Sequence, residues 1–431
     1  MHSSKKAWAA LAAGLLLAGS LAVPVSAEEA EEGYPANYDM EYYSRFAGEN
    51  MTINVYNWGE YIANGEDGSM DINKEFEELT GIKVNYTLFD TNESMYAKLK
   101  SGGSSYDVVI PSDYMISRMI DEGMLEPLDY ENIPNFQYID PQFVNPAYDP
   151  ENLYSVPYTW GTVGIIYNYD MLGYDPDSWG VMWDESLAGQ ILQFSNVKDD
   201  INLTLLYLGY DMNSSDFDDL DAAAEALKQQ KPLVQAYVMD QVFDKMQNNE
   251  AAVAPYYAGD AITMMEANPS LRFVIPKEGS MRFSDAMVIP KLPDQSEESL
   301  KRKAAAEMYI NFLNEPNVAA ENIEYISYST ANTAALELLP EEVRNNPVAY
   351  PDAETLSRTY SQVNLGDEAN QYMDKLWTDI MSADQGYSDW AMPLFLVSAL
   401  ALSGFITWFR KERKRRRERI EYTSLFEKKN Y

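Results

Sequence analysis

Cysteine is absent from the 431 residues, and the single histidine is His2. Without thiols there is no disulfide framework, no thiolate metal site, no Cys nucleophile and no cysteine for N-terminal lipid attachment. Without histidine in the body of the chain there is no ordinary zinc site and no His-based triad. Only chemistry run by carboxylates, such as a glycosidase acid pair, stays open to an enzyme. The chain is therefore expected to be no enzyme and to hold no metal or cofactor. Positive charge is scarce too: residues 28–389 carry 20 Lys/Arg against 64 Asp/Glu. Such a surface repels nucleic acid and anionic lipid and gathers cations, so nucleic acid is not an expected partner, although an acidic surface also serves plain solubility. Internal repeats are missing, as is low-complexity sequence outside one basic run near the C-terminus.

Hydrophobic residues make up 46% of the chain and aromatics 13%, enough for a large packed core. Two apolar stretches stand apart from that core. Lys5 and Lys6 precede the run Ala7–Val23 and the small-residue pattern Val25-Ser26-Ala27, so residues 1–27 are read as a secretory signal peptide. Trp390–Phe409 has no charge, and Trp390 and Trp408 sit at its ends. As a helix rising about 1.5 Å per residue it would match a hydrocarbon core roughly 30 Å thick. Arg410, Lys411 and the run Arg413–Arg417 follow at once. By the positive-inside rule, residues 410–431 form a cytoplasmic tail, 390–409 one transmembrane helix, and the acidic domain is extracytoplasmic at the cell membrane. Residues 28–51, acidic and Tyr-rich without clear period, are read as a linker.

From residue 52 onward, strand and helix patterns alternate. Thr52–Trp58, Ile82–Phe89 and Tyr106–Ile110 read as strands, and Asp71–Thr80, Asn92–Gly102 and Ser112–Glu122 as the helices between and after them, with Gly81 and Gly123 as stops. The theme recurs with a strand at Ile191–Phe194, helices near Ile201–Leu208 and Asp218–Gln230, and strands at Ala252–Tyr257 and Arg272–Ile275. Later helices are expected at Lys301–Leu313, Asn317–Tyr325 and Asp367–Met381. The order argues an α/β protein with two parallel-sheet halves and a cleft between them. Ligands of such folds bind outside the carboxyl ends of strands.

The residues next to these strands share a composition. Trp58-Gly59-Glu60-Tyr61 follows the first strand and Ser112-Asp113-Tyr114 the third. Asn196–Asp199 follows Ile191–Phe194, Tyr257-Ala258-Gly259-Asp260 closes another strand, and Phe283-Ser284-Asp285 precedes Ala286–Pro290. Aromatic rings beside carboxylates suit a flexible polyamine: each ammonium has donors only, which carboxylates accept, and ring faces cover the methylenes. A sugar site would use the same residue types. Each ring alone is explained by core packing, and Asp199 and Asp260 by helix capping. Their joint placement after strands is what points to a ligand.

At these residues the chain resembles the polyamine-binding proteins of bacterial ABC importers, the spermidine/putrescine-binding type above all, over residues 52–380. The resemblance rests on an ordered set of pieces: Tyr56–Tyr61, Phe76 with Gly81–Val84, Asn92–Lys100, Tyr106–Ser112, Tyr154–Thr162, Pro276–Gly279 and Tyr350–Thr355. It implies two lobes of a periplasmic-binding-protein-like fold that close about a hinge: one of about 52–160 and 283–335, the other of about 161–282 and 336–387. It places Trp58, Glu60, Tyr61, Ser112 and Tyr114 along the cleft, with Asp199 as an acid for an amine and Tyr257 in place of a stacking Trp. Asp260 falls where putrescine-type relatives carry an acid, Asp285 on the acid central to amine recognition, and Phe283 in a Trp position. Tyr328 and Gln362 match further cleft residues. Gly59 departs from a hydroxyl residue and Asn196 from an acid, which bears on ligand length. The expected function is capture of spermidine and/or putrescine by a monomer that delivers it to an ABC permease. The alternatives are another small solute on the same fold, a carboxylate glycosidase, or an anchored sensor, whose 22-residue tail is too short for a catalytic domain.

Overall fold

The computed structural model describes residues 34–102 and 105–383. The expected signal segment, the apolar run 390–409 and the basic tail 410–431 lie outside them. Among the described residues, no helix is long and apolar enough to cross a membrane.

Strand β1 (Thr52–Trp58) sends Ile53 and Val55 to one face of a sheet and Tyr56 to the other, as the two-residue period of a strand dictates. It pairs in parallel with β2 (Lys83–Phe89) and β3 (Val108–Val109). The helix Ile72–Thr80 between β1 and β2 starts where the Asp71 side chain accepts from Lys74 N–H and ends at Gly81, at φ +74. That left-handed backbone suits glycine. The helix Asn92–Lys100 is capped by Thr91 through a reciprocal capping box. Asn92, the first residue of this helix, is buried and bonds Ser112.

The second half of the fold repeats the scheme: β5 (Ile191–Phe194) lies parallel to β6 (Val234–Val238) and β7 (Val253–Tyr257). The helices Val197–Leu208, Phe217–Gln230 and Asp367–Ser382 pack together around Ile201, Leu220, Leu227 and Leu376. Each half thus has its own core, and together they make a two-lobed α/β fold.

Two long strands belong to both lobes. β4 (Ser155–Asn168) is buried at every position. Its first half pairs antiparallel with β9 (Ser280–Val288), its second half with β7 and β8 (Leu271–Val274). Val156 and Tyr158 sit in the first core, Val163 and Ile165 in the second. Pro157 interrupts β4 where its register with β9 shifts, since proline cannot donate to a ladder and is tolerated at a bulge. β10 (Ser329–Thr330) joins β4, and β11 (Thr359–Ser361) joins β9. The sheet order is β2-β1-β3-β9-β4-β7-β5-β6.

Two boundaries differ from expectation. Residues 34–51, read as part of a linker, dock on the first lobe: Tyr43 is wholly buried against Phe312 and its hydroxyl donates to Glu315 at 2.6 Å. The first lobe also continues past residue 335, because Leu336, Leu338, Leu339 and Val343 still pack into its core.

Candidate functional site

A cavity of about 60 Å³ lies between the lobes. Eleven of the twelve residues singled out in the sequence line it: Trp58, Tyr61, Ser112, Tyr114, Asp199, Tyr257, Asp260, Phe283, Asp285, Tyr328 and Gln362. Glu60 does not. It stands exposed with left-handed backbone, φ +48, at the turn after β1.

The first lobe presents its residues from strand ends. The Trp58 indole N–H donates to the Ile110 carbonyl at 2.9 Å and its ring packs 4.4 Å from Phe89. The Tyr61 hydroxyl donates to Asp285 Oδ2 at 2.6 Å and also meets the Thr159 hydroxyl. Ser112 is held by Asn92, whose Oδ1 accepts from Ser112 N–H and whose Nδ2 donates to Ser112 Oγ. Ser112 itself bridges to Asp285 on β9. The Tyr114 hydroxyl donates to Glu93 at 2.8 Å.

The second lobe supplies Asp199 from the first turn of the helix after β5. It accepts from Tyr257 hydroxyl at 2.6 Å, from Gln362 Nε2 at 2.7 Å and from Asn196 Nδ2 at 3.1 Å. The acid is thus an oriented acceptor and caps nothing; Asn196 caps the helix. Two glycines give the rings their places. A Cβ on Gly161 would stand 2.7 Å from Phe283 Cζ, so this ring lies directly over β4. A Cβ on Gly259 would stand 2.3 Å from the Tyr328 ring, which packs from the first lobe against the start of the helix Ala258–Ala267.

Electrostatically the site is a set of acids short of cations. Burial pushes Asp285 up to about 6, opposed by hydrogen bonds from Tyr61 and Ser112 and reinforced by Asp199. Burial pushes Asp113 behind it up to about 8. Burial also raises Asp199, against the hydrogen bonds from Tyr257 and Gln362, and raises Asp260 strongly. Lys198 is the cation close by. It is buried 4.8 Å over the Tyr114 ring, and desolvation lowers it to about 8 despite Glu93 and Asp199. The repulsions divide the acids into two poles: Asp285 is raised by Asp199, whereas Asp260 is raised by Asp240 and Glu60. The Tyr257 and Phe283 rings line the same cavity and meet perpendicular at 5.6 Å, Tyr257 being bonded to Asp199 through its hydroxyl.

The lining also includes residues that the sequence reading passed over: Asp90, Asn92, Met239, Asp240, Tyr256 and Met281. Asp90 directly follows β2, and Asp240 lies two residues past β6, so the rule of looking beyond strand ends reaches both once those strands are followed through. Among the described residues no cluster of His, Asp or Glu could hold a metal ion.

A cavity enclosed by two α/β lobes that share crossing strands defines a solute-binding protein. Residues 104–358 match the family described as bacterial extracellular solute-binding protein, and the chain belongs to that family, one of binding proteins and not of enzymes. It is 35% identical over 369 residues to the spermidine/putrescine-binding periplasmic protein of Salmonella typhimurium, covering 84% of this chain and 97% of that one. It is 32% identical to the putrescine-binding periplasmic protein PotF of Escherichia coli, over 78% of this chain and 93% of the relative. Among solved structures, the spermidine/putrescine ABC transporter substrate-binding protein PotD from Streptococcus pneumoniae superposes with a TM-score of 0.64 at 37% identity. It covers 78% of this chain and 99% of that one.

Proposed function

We propose that this chain captures a polyamine, spermidine and/or putrescine, outside the cytoplasm and hands it to an ABC permease. The observation that carries the reading is one interlobe cavity lined by two groups of acids, Asp199 with Asp285 and Asp240 with Asp260, together with the rings of Trp58, Tyr257 and Phe283. Each pole suits an ammonium, which brings three donors and relieves the mutual repulsion of the carboxylates. The rings suit the methylene chain. The names of the relatives support the same ligand class. Trp58, Tyr61, Ser112, Tyr114, Asp199, Tyr257, Asp260, Phe283, Asp285, Tyr328 and Gln362 form the ligand-binding set. Phe283 and Tyr257 cover the chain and Asp285 holds one nitrogen.

The chain acts as a monomer tethered by its uncharged segment 390–409. The basic cluster after it stays in the cytoplasm, and residues 1–27 direct export. The composition of these segments supports the tether. A calorimetric panel of putrescine, cadaverine, spermidine, spermine and a neutral sugar tests the reading. Amines are expected to bind with micromolar or tighter affinity, on the order of −8 kcal/mol, and more weakly as salt is added. Sugar binding without amine binding would sink it.

A further inference from the structure

Asp240 lines the same cavity, from the second lobe, two residues past β6. It stands at the start of the helix Gln241–Gln247, where an aspartate ordinarily caps its own helix, yet its side chain makes no capping bond. Its carboxylate instead lies over the first lobe. Oδ2 is 2.5 Å from the point where a Cβ on Gly59 would stand. The carboxylate therefore occupies the space that any side chain at residue 59 would take. Gly59 has no left-handed backbone that would call for glycine. The contact with Asp240, and no conformational need, is what its missing side chain permits.

The surroundings of Asp240 are acidic. Asp240 still reaches solvent; partial desolvation and then Asp90 raise its pKa, and Asp240 in turn raises those of Glu60 and Asp260. Glu60 and Asp90 come from the first lobe, Asp240 and Asp260 from the second. Asp90, Asp240 and Asp260 line one cavity from opposite lobes, and a cation between them would relieve their mutual repulsion.

We infer that Asp240 is a ligand-contacting acid at the cavity's second pole, and that Gly59 is the gap through which it reaches a distal ammonium. The inference rests on the polyamine reading and deepens it. Asp240 and Gly59 act as a pair, and the pole they complete fixes how far apart the two charges of the ligand must be. Because the pole draws on both lobes, it is assembled only when they are together.

The test is calorimetric titration of the purified full-length chain with putrescine and with spermidine, for wild type, Asp240→Asn, Gly59→Ala and the double variant. Loss of one charge-assisted contact is expected to weaken the better ligand by roughly tenfold or more. Gly59→Ala is expected to do the same by displacing Asp240, and the double variant to be no weaker than Asp240→Asn alone. Thermal melting checks that each variant folds. A variant that does not fold is replaced by Asp240→Ser or Gly59→Ser, read against the same expectation. If wild type binds an amine and Asp240→Asn binds it equally well, the assignment of Asp240 fails while the polyamine reading stands. Full additivity in the double variant likewise breaks the pairing with Gly59. If wild type binds neither amine, the polyamine reading itself fails.

Discussion

The hydroxyl of Tyr61, three residues past β1, donates a 2.6 Å hydrogen bond to Asp285 Oδ2 in the middle of β9. Both side chains are almost fully buried. A hydrogen bond to the charged form favours ionisation, and burial opposes it. Burial prevails here, leaving Asp285 near 6.

Tyr61→Phe keeps the ring and removes the donor. A hydrogen bond to a charged group contributes about 1.5–3 kcal/mol. The variant is expected to bind putrescine roughly tenfold more weakly near neutral pH, and the pH at which binding fails is expected to move upward. Calorimetry at several pH values reads both effects. Unchanged affinity with an unchanged midpoint would count against the bond's role.

The raised value for Asp285 sets a pH dependence. Its folded pKa of about 6 lies above the ordinary 3.8. In the free chain this group's stabilising contribution is present below 3.8 and is lost as pH rises through 6. An ammonium ligand needs the ionised form, so amine affinity is expected to fall as pH drops below 6, by up to about tenfold per unit for one linked proton. Titrations in buffers of different ionisation enthalpy should show proton release on binding near pH 5. An affinity that is flat from pH 5 to 7 would exclude Asp285 as the ammonium's partner.

Asp285→Ala removes the acid without stranding its neighbour, because the Tyr61 hydroxyl keeps Thr159 as a partner. The variant is expected to melt as a folded protein and to bind no measurable polyamine. Retained affinity on calorimetry would move the first pole elsewhere, to Asp199.

Lys231 tests the frame and leaves the site alone. Its buried ammonium donates to the carbonyls of Ile380, Met381 and Ala383 at 3.0, 2.6 and 2.8 Å, closing the C-terminal end of the helix Asp367–Ser382. Lys231→Met keeps the stem's packing and leaves those carbonyls without the charge, at a cost of about 2 kcal/mol. A melting temperature lower by a few degrees and faster hydrogen exchange at the end of that helix are expected, with amine affinity unchanged. A melting temperature equal to wild type would show the clamp to be dispensable.

The parts of the fold legible in the sequence were those with a period or a cap. Asp71 and Gly81 bracket a helix as their residue types require, and β1 alternates because each face meets a different core. β4 escaped notice because all 14 of its positions are buried, so it shows no alternation. β6 is a partly exposed edge of five residues, and missing it hid Asp240. The stretch around Tyr43 has no period because its helix is a single four-residue turn, held by rings and not by a stripe. Most of the cavity wall was legible because aromatic and acidic residues follow strand ends. Glu60 fits that pattern in sequence, yet the left-handed turn carries it off the wall.

β9 lies between β3 and β4 in the sheet, although much of the second lobe separates it from either in the chain. Until synthesis reaches Val288, the growing polypeptide holds β3 with one edge unpaired and a first-lobe core without Met287, Ile289 or Phe312. Closure over so long a separation is slow. The polypeptide thus cannot finish its N-terminal half before much of its C-terminal half exists.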